Sequence, residues 1–203
     1  MSQSNPGKSE TPRITRREKA EQTRLLVFST ALSLLEGKAF EQITIRDIVQ
    51  AAGVSVGTFY KYFQSKLDVY YETYALADAY FEDTVAPMLI QPDVRSRVLL
   101  YFDQYAAYSS EHTSLTLTKL LNNSSNTRFL RRSDSGMIPV LRETLQRGID
   151  DKQLDLRESA DDLAEYLMVA ARGLVYDWCI HDGGYPLRPA MARYVGRLLR
   201  CCE

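Results

Sequence analysis

Between Ile43 and Phe63 the chain carries start and stop signals for two very short helices in close succession. Thr44 followed three residues later by Asp47 is a capping-box pattern, in which each side chain satisfies a backbone amide that the first helical turn leaves unpaired. Ile45, Ile48, Val49 and Ala52 supply the inner face of that first helix. Gly53 then stops it, because glycine accepts the left-handed backbone that a sharp turn needs. Ser55 caps the second helix, and Phe59 and Phe63 fall on one side of it at i, i+4 spacing. Two short helices hinged at a glycine, the second edged with hydroxyl, aromatic and basic side chains, describe a helix-turn-helix.

The flanking sequence is helical throughout. A helix beginning near Thr15 repeats Leu25, Phe28, Leu32 and Leu35 and ends at Gly37. Ser65 with Asp68 repeats the capping-box pattern and opens a long helix to about Val85, broken by Pro87 and Pro92. Further helices are expected over about 93–111, 114–121, 138–149 (with Pro139 in its first turn), 159–181 and 188–201. Residues 122–135 read as a polar loop, and Gly183, Gly184 and Pro186 as a turn. No alternating strand pattern occurs. The expected fold is all-α, with about nine helices. A disordered basic tail (1–14) precedes a three-helix head (15–64), which joins a larger helical body (65–203).

The 203 residues are 45% apolar and 25% charged, the mixture of a soluble globular protein. No apolar run approaches the ~20 residues that span a bilayer, and the polar N-terminus lacks the core of a secretion signal. A cytoplasmic location without membrane contact is expected. Three cysteines, with no CxxC, make neither a disulfide framework nor a metal site, so Cys201 and Cys202 read as thiols at a helix end. His112 and His181 lack any nucleophile or carboxylate at catalytic spacing, and no glycine-rich phosphate loop is present. The sequence therefore points away from enzymes, metals and cofactors.

The formal net charge is −1, but it is unevenly spread. Residues 1–67 hold ten Lys and Arg against six Asp and Glu, whereas residues 68–203 hold fifteen against twenty. A basic head on an acidic body suits a protein that presents one end to DNA. A helix fits the major groove, where base edges display a readable pattern. Here the helix would be Ser55–Tyr62, with Val56, Gly57, Thr58, Lys61 and Tyr62 outward and Tyr60 leaning towards the DNA. Ile45, Ile48, Val54, Phe59 and Phe63 would brace it. Gly57 costs roughly 1 kcal/mol in a helix relative to Ala, and close approach to DNA is one reason for it.

The stretch TIRDIVQAAGVSVGTFYKYFQSKLDVY closely resembles the signature of TetR-type transcriptional regulators. Thr44, Arg46, Asp47 and Ile48 match it, as do Ala52-Gly53-Val54-Ser55, Gly57-Thr58-Phe59-Tyr60, Tyr62-Phe63 and Ser65-Lys66. Val49 departs from it, standing where the family usually has Ala. The resemblance implies a DNA-binding regulator, a repressor released from a palindromic operator by a small-molecule effector. By position, Thr44 corresponds to a phosphate contact and Arg46 to a base contact, while Ser55 opens the reading helix. Val56 and Gly57 occupy base-facing places. Thr58, Tyr60 and Tyr62 correspond to phosphate contacts, Lys61 to either kind, and Lys66 to a phosphate anchor at a helix N-terminus. Arg13, Arg16, Arg17 and Lys19 form either a minor-groove arm or a solubilising tail.

Palindromic half-sites call for a symmetric protein. On the last two helices, Leu163, Leu167, Ala170, Leu174 and Trp178 form one stripe, and Val195, Leu198 and Leu199 another. The resemblance implies that this helix pair forms a homodimer interface; the alternative is that the stripes close the subunit's own core. It also implies an effector pocket. The thirteen tyrosines suit a largely apolar site with a few polar contacts. Tyr74, Tyr101, Tyr105 and Tyr108 are the candidates from the body's first helices, and Met168, Arg172 and Tyr176 from the penultimate one. An inward Arg172 would need an anion, namely Glu165, Asp177 or an acidic ligand.

Overall fold

The computed structural model describes residues 15–123, 136–154 and 159–200. The tail 1–14, Cys201, Cys202 and most of the expected polar loop lie outside these residues.

The first four α-helix starts are written locally. In α1 (Arg16–Gly37), Thr15 N donates to Glu18 Oε2 at 2.7 Å, while Glu18 N donates to Thr15 Oγ1 at 3.2 Å. In α2 (Ile45–Ala52) the same reciprocal pair joins Thr44 and Asp47, at 2.8 and 3.1 Å. In α3 (Val56–Tyr62), Ser55 Oγ accepts from Thr58 N at 3.0 Å. In α4 (Lys66–Tyr70), Ser65 and Asp68 close a third box. Gly53, at φ 65°, ψ 30°, turns the chain between α2 and α3. A side chain there would be strained by its left-handed backbone.

The body comprises α5 (Glu72–Tyr80), α6 (Val94–Ala107), α7 (Leu115–Asn123), α8 (Met137–Asp150), α9 (Ala160–Ile180) and α10 (Leu187–Leu199). Among the described residues there are thus ten α-helices and no strand. The tenth arises because the long helix expected from Ser65 is divided. At Tyr71 the amide is shared between the Leu67 and Val69 carbonyls, with ψ at −12°, and the buried ring anchors that tightened turn. π-turns at Phe81–Val85 and Tyr108–His112 close α5, the second piece of that helix, and α6, the helix expected over 93–111.

Two apolar clusters organise the chain. The head cluster joins Val27, Phe28, Ala31 and Leu35 of α1 to Ile48, Val49, Phe59 and Phe63. It runs on across the expected boundary at residue 64 to take in Val69, Tyr70 and Tyr71, and α7 reaches it through Leu117 and Leu121. On α1 the inward stripe is rotated from the expected one. Leu25 is exposed, and Val27 and Ala31 are buried in its place.

The body cluster is built from α6, α8, α9 and α10. Here the proposed dimer stripe is corrected. Leu163, Leu167, Leu174, Trp178, Val195 and Leu199 are buried within the subunit, and Ala170 and Leu198 are half-buried. The reason is packing: α9 lies against α8 and α10, and α10 against α6, so these residues face their own chain. The opposite face of α9 carries exposed Tyr166, Val169, Gly173, Tyr176 and Ile180, and Tyr194 is exposed on α10.

One contact between elements fixes how α8 begins. Gly136 N donates to Glu82 Oε1 at 2.6 Å and Met137 N to Asp78 Oδ1 at 3.1 Å, so carboxylates from the α5 segment cap α8. Gly136 has φ 82°, and a Cβ there would fall 2.0 Å from Asp78 Oδ1.

Candidate nucleic-acid interface and ligand cavity

The reading helix α3 lies on the surface. Phe59 is fully buried and braces it together with Ile48 and Phe63. Outward, Val56 and Tyr60 are 44% and 55% exposed, and Ser55, Gly57 and Lys61 are exposed too. Thr58 and Tyr62 are half-buried at the flanks. A Cβ on Gly57 would meet only Ser55 Oγ, at 3.7 Å, so nothing inside the protein requires glycine there. Arg46 and Thr44 are exposed at the start of α2, beside this face.

Several hydroxyls already have partners. Thr44 Oγ1 donates to Asp47 Oδ2 at 2.7 Å, and this pairing, with the bond from the Thr44 amide, holds the Asp47 carboxyl below its usual range. Ser55 Oγ and Thr58 Oγ1 share a hydrogen bond at 2.9 Å. Lys66 departs most from expectation. Its Nζ donates to the carbonyls of Phe40 and Ile43, at 2.5 and 2.6 Å, and sits 3.9 Å from the centroid of the Phe40 ring. Burial lowers its pKa, opposed by nearby Glu41. The ammonium thus fastens the 3-10 turn Phe40–Gln42 to α4, and its donors point into the protein rather than towards a phosphate. Of the basic residues near the N-terminus, Arg16, Arg17 and Lys19 are exposed on α1 itself, and Arg13 lies outside the described residues.

A cavity of about 390 Å³ lies in the body. Thr73, Tyr74, Ala77 and Asp78 of α5 form one wall; Tyr105, Tyr108 and Ser109 form another. Leu121 and Asn122 of α7, Met137 and Ile138 of α8, and Arg172, Val175 and Tyr176 of α9 close it. Gly173 and Tyr176 are also exposed, so the cavity reaches the surface beside α9. Five expected residues therefore meet there: Tyr74, Tyr105, Tyr108, Arg172 and Tyr176.

Tyr101 and Met168 do not line it. Tyr101 is fully buried, its hydroxyl donating to Met137 O at 2.8 Å and lying 3.8 Å from Met168 Sδ. Both belong to the packed core under the cavity floor. Sequence reasoning missed Thr73, Ala77 and Asp78, although with Tyr74 they form an i, i+1, i+4, i+5 stripe that spacing alone could have exposed.

Burial pushes the Tyr74 and Tyr108 phenols up to about 12. It raises Tyr105 as well, against the opposing charge of Arg172. All three are hydrogen-bond donors at neutral pH. Among the described residues no metal-binding cluster occurs, and no helix is long and apolar enough to cross a membrane.

A braced, surface-lying second helix of a helix-turn-helix, set on an all-helical body with its own cavity, defines a helix-turn-helix protein of two parts. Residues 27–72 match "Bacterial regulatory proteins, tetR family". In this head the chain is similar to the tetR family of bacterial regulatory proteins. It is 31% identical over 106 residues to the HTH-type transcriptional regulator EthR of Mycolicibacterium smegmatis, covering 48% of this chain and 49% of that protein. The chain thus spans about half the length of the curated relative it matches. Among solved structures, the fatty acid degradation regulator FadR of Bacillus halodurans superposes with a TM-score of 0.68 at 21% identity, covering 87% of this chain and 94% of that one. NalD, the secondary repressor of the MexAB-OprM multidrug efflux pump of Pseudomonas aeruginosa, gives 0.63 at 18%, covering 90% and 96%. At such identities the likeness is one of fold. The family and these relatives are regulators, not enzymes.

Proposed function

We propose that the chain is a sequence-specific transcriptional repressor that binds a palindromic operator as a homodimer and releases it when a small molecule fills the body cavity. One observation carries this reading: α3 is held from behind by buried Phe59, Ile48 and Phe63, while its front is open even at Gly57. Such a rod enters a major groove. Val56 and Gly57 approach base edges, Val56 suiting a thymine methyl, and Arg46 is the charged base reader. Tyr60, Thr58, Tyr62, Ser55 and Lys61 meet the flanking backbone, with Thr44 contributing through the end of α2. Lys66 acts indirectly, by holding the turn that supports α4.

The homodimer forms through the exposed face of α9 and α10, carrying Tyr166, Val169, Tyr176, Ile180 and Tyr194. This is an apolar patch of the sort that marks an interface. The effector acts by differential affinity for two dimer states with different spacing of the α3 helices, which must match roughly 34–36 Å for successive major grooves. Selection from random duplexes tests the whole. A palindromic consensus is expected, bound with a steep salt dependence. Indifference to every duplex in dilute salt overturns the proposal, and Val169→Asp is expected to yield monomers with weak half-site binding.

A further inference from the structure

The effector's chemistry is narrowed by the cavity wall. Arg172 is half-buried in that wall. Its guanidinium cannot shed its charge, and taking it from water without an anion is costly. The carboxylates near it in sequence do not pair with it. Glu165 is exposed, and Asp177 accepts from Tyr185 Oη at 2.9 Å and lies 3.6 Å from His181 Nδ1. Asp78 shares the wall, but its carboxylate accepts from Met137 N. Among the described residues, none forms an ion pair or hydrogen bond with Arg172.

Tyr105 adds a second group without a partner. It lines the same cavity, and its hydroxyl makes no hydrogen bond to a described residue. Arg172 is near enough to lower the Tyr105 pKa against the effect of burial, which marks the two as neighbours. A guanidinium and a phenol with free donors in the wall of one cavity make a cradle for an oxyanion. Ala77, Leu121, Ile138 and Val175 make the remainder largely apolar. The volume falls within the roughly 300–1,000 Å³ of small-molecule sites.

We propose that the cavity takes an amphipathic organic acid, its carboxylate held by the Arg172 guanidinium and the Tyr105 hydroxyl and its hydrocarbon body lying against the apolar wall. This rests on the effector-release reading above. The test is calorimetric titration of the full chain with octanoate, decanoate, dodecanoate and phenylbutyrate, each paired with its primary amide. Arg172→Met, Arg172→Gln and Tyr105→Phe are titrated alongside, with circular dichroism to establish folding. At least one acid is expected to bind tighter than its amide by roughly tenfold to a hundredfold, the scale of a charge-assisted hydrogen bond. Either Arg172 substitution should erase that preference, and Tyr105→Phe should reduce it roughly two- to tenfold. Equal binding of acid and amide, acid affinity untouched in a folded Arg172 variant, or no binding by any acid overturns the proposal. Should neither Arg172 variant fold, the acid–amide ratio on the unaltered chain decides it. Duplex affinity without ligand is measured separately. A neutral amide that releases duplex preserves effector release while overturning the acid, and absence of duplex binding overturns the regulator while leaving the acid preference readable.

Discussion

Head and body are both helical, yet they are put together in different ways. In the head every helix start carries its own cap, from Thr15, Thr44, Ser55 and Ser65. The head cluster packs Ile48, Phe59 and Val27 with almost no exposure. In the body, α5, α8 and α10 start without a side-chain cap of their own, two helices end in π-turns, and one space of about 390 Å³ is left open. The head is organised to hold a shape; the body keeps room for something else. π-turns recur at functional sites because the extra residue re-aims a side chain, and Tyr108 in the second of them faces the cavity.

The comparison breaks first at Phe59. Phe59→Ala is expected to cost about 3–5 kcal/mol in denaturant unfolding; a loss below 1 kcal/mol on that scale would show that the head does not hold its shape through this core. Lys66→Met ranks next. Leaving the Phe40 and Ile43 carbonyls without their donor should cost roughly 1–3 kcal/mol, seen as a lower unfolding midpoint. A flatter salt slope for duplex binding at unchanged stability would instead return Lys66 to the phosphate backbone.

A matched pair of enlargements sharpens the contrast. Ala31→Leu in the head should destabilise by about 1–3 kcal/mol through overpacking. Ala77→Leu, pointing into open space, should leave thermal stability nearly unchanged while lowering ligand affinity. Equal melting losses for the two would erase the distinction. Smallest is Thr44→Ala, at about 1 kcal/mol from the lost cap, measured by the same melts.

The same division explains what could be read in advance. Caps and turn glycines are signals spanning three or four residues, so Thr44 with Asp47, Gly53 and Ser65 with Asp68 announced α2, α3 and α4 without reference to the rest of the chain. The boundary of the cavity is non-local. Tyr101 and Tyr105 share a face by spacing, but α8 and α9 cover the first and stop short of the second. Likewise α9 presents two apolar stripes, and which one turns inward depends on α8 and α10. Lys66 was misleading for a similar reason: its partners, Phe40 and Ile43, lie more than twenty positions upstream.

Leu121 belongs to the head cluster and to the cavity wall at once, and Tyr74 packs against that cluster while its hydroxyl donates to the Leu121 carbonyl at 3.4 Å. The cavity wall and the cluster that braces α3 therefore share these two residues. Linkage makes such an arrangement reciprocal: whatever factor the guest takes from duplex affinity, the duplex takes from guest affinity. On the repressor reading proposed above, promoter-bound copies would answer only to higher guest concentrations than copies adrift in solution, and the operator itself would help set the threshold of the response.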